Sequence, residues 1–230
     1  MSRGIVVLAQ NTNQENYVDQ AAVLAQSVKL TNPDIPVSIV TNDIVDDLDK
    51  RYFDKIIDIP WGDLAIKKDW KVENRWKVFH STPYKETLVL DTDMLFLENI
   101  NHWWKFFENY DLYFTTNVKT YRGETVNSDY YRKTFTANSL PNIYTGMYYF
   151  KRCEFTHNFF AYLELVMRNW EQFYEIFLPE HTPEHLSVDV CAAIVCKLMD
   201  YTQYVTNPSV SVPTFVHMKA YAQNWKTPRN

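Results

Sequence analysis

Cysteine is scarce, and the three thiols, Cys153, Cys191 and Cys196, form neither a CxxC pair nor an even set. That spacing excludes a cysteine zinc knuckle and a disulfide framework, and it predicts buried, reduced thiols. A basic excess is missing too: the formal net charge is −5 and the isoelectric point lies near 5.7. The chain as a whole is therefore not built for electrostatic capture of nucleic acid or anionic lipid. No segment approaches the roughly 20 apolar residues of a membrane helix. The opening MSRGIVVLAQ lacks the apolar core and small-residue cleavage site of a secretion signal. A soluble, cytoplasmic protein without a membrane stalk is the expectation. Internal repeats and low-complexity tracts are absent as well.

What is present is a chain of 230 residues with 46% hydrophobic content, enough for one sizeable core. Aromatic residues reach 16%; each ring reads either as core or as part of a surface that stacks on sugars or bases. Apolar runs at 4–9, 37–40, 55–59, 87–90, 112–115 and 144–150 read as strands. Helical spacing marks 17–30, ended by Asn32-Pro33, and also 72–80, 186–198 and one long amphipathic helix over 155–177. Pro60-Trp61-Gly62 punctuates a turn, and a long polar connection runs to Asn142. The alternation predicts an α/β fold with a mixed, mostly parallel sheet flanked by helices.

The run Thr87-Leu88-Val89-Leu90 ends abruptly in Asp91-Thr92-Asp93. Two carboxylates delivered to the end of a buried strand suit a divalent cation, whose hard-ligand shell phosphate oxygens complete. Such pairs are common, and many are merely solvated turns. His217, after the apolar Thr214-Phe215-Val216, is a candidate third ligand, although a lone histidine is as readily structural. Lys219 shares its face if the segment is a strand, where an ammonium meets phosphate.

These residues resemble the GT-A fold glycosyltransferases, particularly the family-eight type that includes glycogenin and bacterial lipopolysaccharide galactosyltransferases. The resemblance covers most of the chain. It implies a single GT-A (Rossmann-like nucleotide-diphospho-sugar transferase) domain over 1–230, with a donor-binding part over about 1–100 and an acceptor-side part over about 101–230. Val7-Leu8-Ala9-Gln10 through Asn16-Tyr17 looks like a longer version of the family's Ala-x-Asp-x-x-Tyr donor loop, so Ala9, Gln10 and Tyr17 would border the base. Arg75, sixteen residues before Asp91, matches a basic donor contact, with Lys71 and Lys77 as alternatives. Tyr144-Thr145-Gly146-Met147 resembles the Asn-x-Gly segment of the sugar pocket; Thr145, Gly146 and Thr92 would join the donor contacts.

The family's closing motif, His-x-x-Gly-x-x-Lys-Pro-Trp, aligns with His217 to Trp225 and matches at both ends, but Ala220 replaces the glycine and Gln223 the lysine. Lys219 or Lys226 would then have to supply the phosphate contact. Asp189 resembles the acid that meets the transferred sugar or the acceptor; it reads equally as a helix N-terminal charge. The resemblance implies Mn2+ or Mg2+, a nucleotide-diphosphate sugar donor, and hexosyl or pentosyl transfer with retention, the leaving phosphate deprotonating the acceptor. Lys219 and the cation would stabilise that phosphate. An inverting relative would instead use Asp189 or Glu184 as base.

Small anchor-free transferases of this type also resemble bacteriophage reading frames, some of which glycosylate hydroxymethylcytosine in DNA. Lys119, Arg122, Arg132 and Lys133, interleaved with Tyr121, Tyr130, Tyr131 and Phe135, are the basic and aromatic equipment for such an acceptor, in the host cytoplasm. Glu124 and Asp129 dilute the stretch, which reads also as a solvated loop. A non-catalytic nucleotide-sugar-binding module is the alternative from another class, motivated by Gln223-Asn224. A two-metal phosphatase or nuclease lacks a further acid cluster in the sequence.

Overall fold

The computed structural model describes residues 2–66, 68, 71–116, 118–119, 123, 132–205 and 215–216. In chain order the elements are β1 (Arg3–Leu8), α1 (Tyr17–Thr31), β2 (Val37–Val40), β3 (Lys55–Ile57), α2 (Val78–Ser81), β4 (Glu86–Leu90), α3 (Asn101–Phe107), β5 (Leu112–Thr115) and β6 (Val118–Lys119). They continue with α4 (Lys133–Ala137), β7 (Tyr144–Lys151), α5 (Glu154–Arg168), α6 (Trp170–Phe177), α7 (Val188–Leu198), α8 (Thr202–Val205) and β8 (Phe215–Val216). Short 3-10 helices span Lys50–Tyr52 and Arg75–Lys77. Six strands form one sheet in the order β3-β2-β1-β4-β7-β5, and β6 pairs with β8. The first four strands are parallel, with Val6 opposite both Ser38 and Val89; β7 runs antiparallel to β4, with Val89 opposite Tyr148. The α/β reading with a mixed, mostly parallel sheet flanked by helices is what the chain adopts.

By compactness the chain divides into two units, Met1–Tyr113 with Gly146–Arg168, and Phe114–Thr145 with Asn169–Asn230. In the first, β1, β2 and β4 bury their side chains on both sheet faces, as continuous apolar runs in parallel sheets do. Val18, Ala21, Ala22, Leu24, Ala25 and Val28 form the buried stripe of α1. Asn16 caps that helix by accepting from the Asp19 N–H at 3.2 Å, and Asn32-Pro33 ends it. Gly4 has a packing reason: a Cβ there would run into the Tyr84 ring, whose hydroxyl meets Ser38 Oγ at 2.7 Å. In the second unit, every residue of α7 from Val190 to Cys196 is buried, and Ser187 caps the helix.

Two expected helices differ from the observed ones. Instead of a helix over 72–80, a single 3-10 turn at Arg75–Lys77 runs into α2. Asn74 starts the turn because its carboxamide bonds sideways to other segments, as Asn does at helix ends. The expected long helix over 155–177 breaks at Asn169, whose φ of −125° and ψ of 32° leave the helical region and separate α5 from α6. The three thiols are free; Cys191 and Cys196 are buried, while Cys153 is half-buried. Among the described residues no helix is long and apolar enough to cross a membrane.

Candidate functional site

The chain leaves β1 toward β2 on one side, while β4 lies on the other. Outside the carboxyl ends of parallel strands, such a reversal is where α/β sheets bind ligands. Ala9 follows β1, is buried, and donates its N–H to the Val40 carbonyl at 3.0 Å. Asp91 follows β4 and donates its N–H to the Gly146 carbonyl at 2.8 Å. Its Oδ1 accepts from Arg75 Nη1 at 2.8 Å, so the basic residue to which the family resemblance pointed contacts Asp91. Thr92 is buried and donates to Gln20 Oε1 at 3.1 Å, whereas Asp93 is exposed. Tyr17, half-buried, opens α1. Burial pushes the Tyr148 phenol up, with Arg75 lowering and Asp91 raising it, so this neighbour of the pair stays neutral.

A second set of residues here was not legible as a motif. Gln10 Nε2 donates to Asn42 Oδ1 at 3.1 Å, and Asn42 Nδ2 donates to Asp63 Oδ2 at 3.1 Å. Asn74 Nδ2 donates to Asp63 Oδ1 at 2.5 Å and to Gln10 Oε1 at 2.8 Å, while its Oδ1 accepts from the Leu64 N–H at 3.2 Å. Four side chains thus close a ring across four segments. Burial works against the Asp63 carboxylate, yet the Ala65 N–H and the Gln10, Asn74 and Asn42 amides hold its pKa below the ordinary value. The neighbouring turn carries Trp61 at φ 58° and Gly62 at φ 79°. A tryptophan in the left-handed region is strained, and here it is held from beneath. Its ring stacks on Trp76 with centroids 5.9 Å apart, and the buried Lys77 ammonium donates to the Gly62 carbonyl. Burial lowers the pKa of that ammonium.

In the second unit, Asp189 lies in the first turn of α7 with both carboxylate oxygens engaged. Oδ1 accepts from the Thr145 N–H at 2.8 Å and from Thr145 Oγ1 at 2.6 Å, and Oδ2 pairs with Arg132 Nη2 at 2.5 Å. Arg132 also donates to Asn142 Oδ1 at 3.1 Å and the Ile143 carbonyl at 2.7 Å, and lies over the Tyr144 and Phe135 rings. Here the basic stretch expected for a DNA acceptor needs a correction. Arg132 is 2% exposed, because the half-buried Asp189 carboxylate and two rings pull it inward, so it presents no cation to a phosphate backbone. Lys119 lies in β6 and is half-buried, Lys133 is exposed, and Arg122 lies outside the described residues. The apolar segment expected before His217 forms β8, with Phe215 opposite Val118. His217, Lys219, Gln223 and Trp225 lie outside the described residues.

The acidic pair fits a hard divalent cation in its donor chemistry. Space is also kept beside it: a Cβ on Gly146 would come within 3.0 Å of Asp91 Oδ2 and 3.3 Å of Met94 Cε. Among the described residues no group of three His, Cys, Asp or Glu side chains gathers for a metal, so a third protein ligand is not part of the described geometry.

No protein-family model matches the chain, and no curated protein matches it. Solved structures do. The galactosyltransferase LgtC in complex with donor and acceptor sugar analogues aligns with a TM-score of 0.54 at 16% identity, covering 85% of this chain and 70% of that one. The apo form of the glycosyltransferase GlyE from Streptococcus pneumoniae TIGR4 aligns with a TM-score of 0.51 at 13% identity, covering 88% of this chain and 44% of that one. The fold is therefore of the GT-A type seen in these glycosyltransferases.

Proposed function

We propose that the chain is a metal-dependent glycosyltransferase of the family-eight type, moving a sugar with retention from a nucleotide-diphosphate sugar to an acceptor hydroxyl. The observation that carries this reading is Asp91: it stands at the reversal between β1 and β4, gripped by Arg75, with Gly146 leaving room beside its second oxygen. Asp91 and Asp93, with His217 from the C-terminal segment, are the residues that would hold Mn2+ or Mg2+. When bound, the cation neutralises the leaving diphosphate as a Lewis acid.

Arg75 keeps one Asp91 oxygen fixed and adds positive charge where the diphosphate lies. Ala9, Tyr17 and Thr92 line the nucleoside side, and Thr145 and Gly146 the sugar side. Asp189 acts by holding Thr145 in place through two bonds and being neutralised by Arg132. Lys219 supplies the phosphate contact that Gln223 does not. Contacts around Asp91 support the roles of Arg75 and Gly146, and the resemblance of the closing motif those of His217 and Lys219.

Incubation with Mn2+ and a panel of nucleotide sugars, scored by donor hydrolysis and by metal-dependent thermal shift, tests the proposal. One donor should shift the melting temperature and turn over. Asp91→Ala and Asp93→Ala should abolish both responses while the metal-free melting temperature stays near that of the parent. Indifference of the parent to every donor contradicts the reading.

A further inference from the structure

The ring of Gln10, Asn42, Asp63 and Asn74 asks for an explanation, because it concentrates three amides and a carboxylate at the strand ends and spends them on one another. Gln10 is 3% exposed and Asn74 fully buried. Both ends of the Gln10 carboxamide are engaged within the ring, and Asn74 uses both its oxygen and its amide nitrogen. A polar network so fully satisfied adds rigidity rather than reaching for a ligand. What it fixes is the start of the turn that carries Arg75.

Consecutive residues of that turn divide the labour. Asn74 ties the turn to the loop after β1 through Gln10 and to the 62–65 segment through Asp63 and Leu64. Arg75 reaches Asp91. Trp76 lies against Trp61, and Lys77 closes on the Gly62 carbonyl. Between them these contacts leave the backbone at Arg75 little freedom, although the turn is one residue triplet long and too short to be stable by itself.

We infer that Asn74 is a positioning residue for donor binding: through the ring with Gln10, Asn42 and Asp63 it sets where Arg75 presents its guanidinium to Asp91 and the diphosphate. This rests on the sugar-transfer reading above, and it moves Gln10 from a nucleobase contact to a member of that scaffold. It needs no direct contact between Asn74 and substrate.

A double-mutant cycle on nucleotide binding tests it, because groups that act through one another are not additive. The probes are UDP and GDP, each with Mn2+, titrated calorimetrically into the parent, Asn74→Leu, Arg75→Ala and the double variant. Asn74→Leu should weaken binding about ten-fold, and the double variant should bind no more weakly than Arg75→Ala alone. Asn42→Ala, at the solvent edge of the ring, should give a smaller loss, again absorbed by Arg75→Ala; it serves if Asn74→Leu fails to fold. Losses that multiply, or an Asn74→Leu or Asn42→Ala protein that binds like the parent, overturn the inference and leave the sugar-transfer reading intact. A parent that binds neither nucleotide with Mn2+ overturns both.

Discussion

At the scale of single residues, the two glycines that matter are closed by different neighbours and should fail in different ways. At Gly4 the obstacle is the Tyr84 ring in the core, so Gly4→Ala should lower stability by about 1–3 kcal/mol through overpacking and loss of the Ser38–Tyr84 hydrogen bond. At Gly146 the obstacle is the Asp91 carboxylate at 3.0 Å. Gly146→Ala should therefore leave the urea midpoint near that of the parent but weaken Mn2+-dependent nucleotide binding; urea titration beside calorimetry separates the two. Asp91 was legible in the sequence because four apolar residues lead straight into it, and Arg75 through the resemblance to the family's basic donor contact. Asn42, Asp63 and Asn74 were not, since isolated polar residues acquire meaning only when distant segments converge. Arg132 was misplaced for a related reason: a charge between aromatics reads as surface until its partner, Asp189, is seen 57 positions away.

At the scale of elements, strands and long apolar helices follow the pattern of the sequence, and short ones follow their side-chain bonds. The turn at Arg75–Lys77 shows the second case, where Asn74 takes the place of a longer helix. The break between α5 and α6 is set instead by the backbone of Asn169, whose φ and ψ leave the helical region. On α7, Ser187 accepts from the Val190 N–H at 3.4 Å, and Ser187→Ala should cost about 1 kcal/mol, read from the denaturation midpoint. The Arg132–Asp189 pair joins α7 to the residue before α4 within its unit, with Arg132 2% exposed. Arg132→Met leaves the Asp189 carboxylate without its cation and should destabilise by roughly 3–5 kcal/mol, a loss that exposed ion pairs such as Lys50–Asp47 do not produce.

At the scale of the whole molecule, the fold was legible from the order of apolar runs, whereas the meeting of β1, β4 and the 3-10 turn became visible only with the sheet order. Acid should loosen this arrangement in a definite direction. Burial raises Asp54 and Asp63, but the Lys29 ammonium and Val37 N–H at Asp54, and the Ala65 N–H and three amides at Asp63, hold both below the ordinary aspartate value. A depressed carboxylate adds stability above its unfolded pKa of about 4 and loses it as pH falls through the folded value. Urea midpoints should thus decline below about pH 4, and less so in Asp54→Asn. The central claim concerns Asp91, and its most direct measurement is calorimetric titration of UDP and GDP, with and without Mn2+, into the parent and Asp91→Ala. One nucleotide binding the parent only with Mn2+, and binding Asp91→Ala not at all, is the predicted result. Equal binding by the two proteins, or none by the parent, contradicts it.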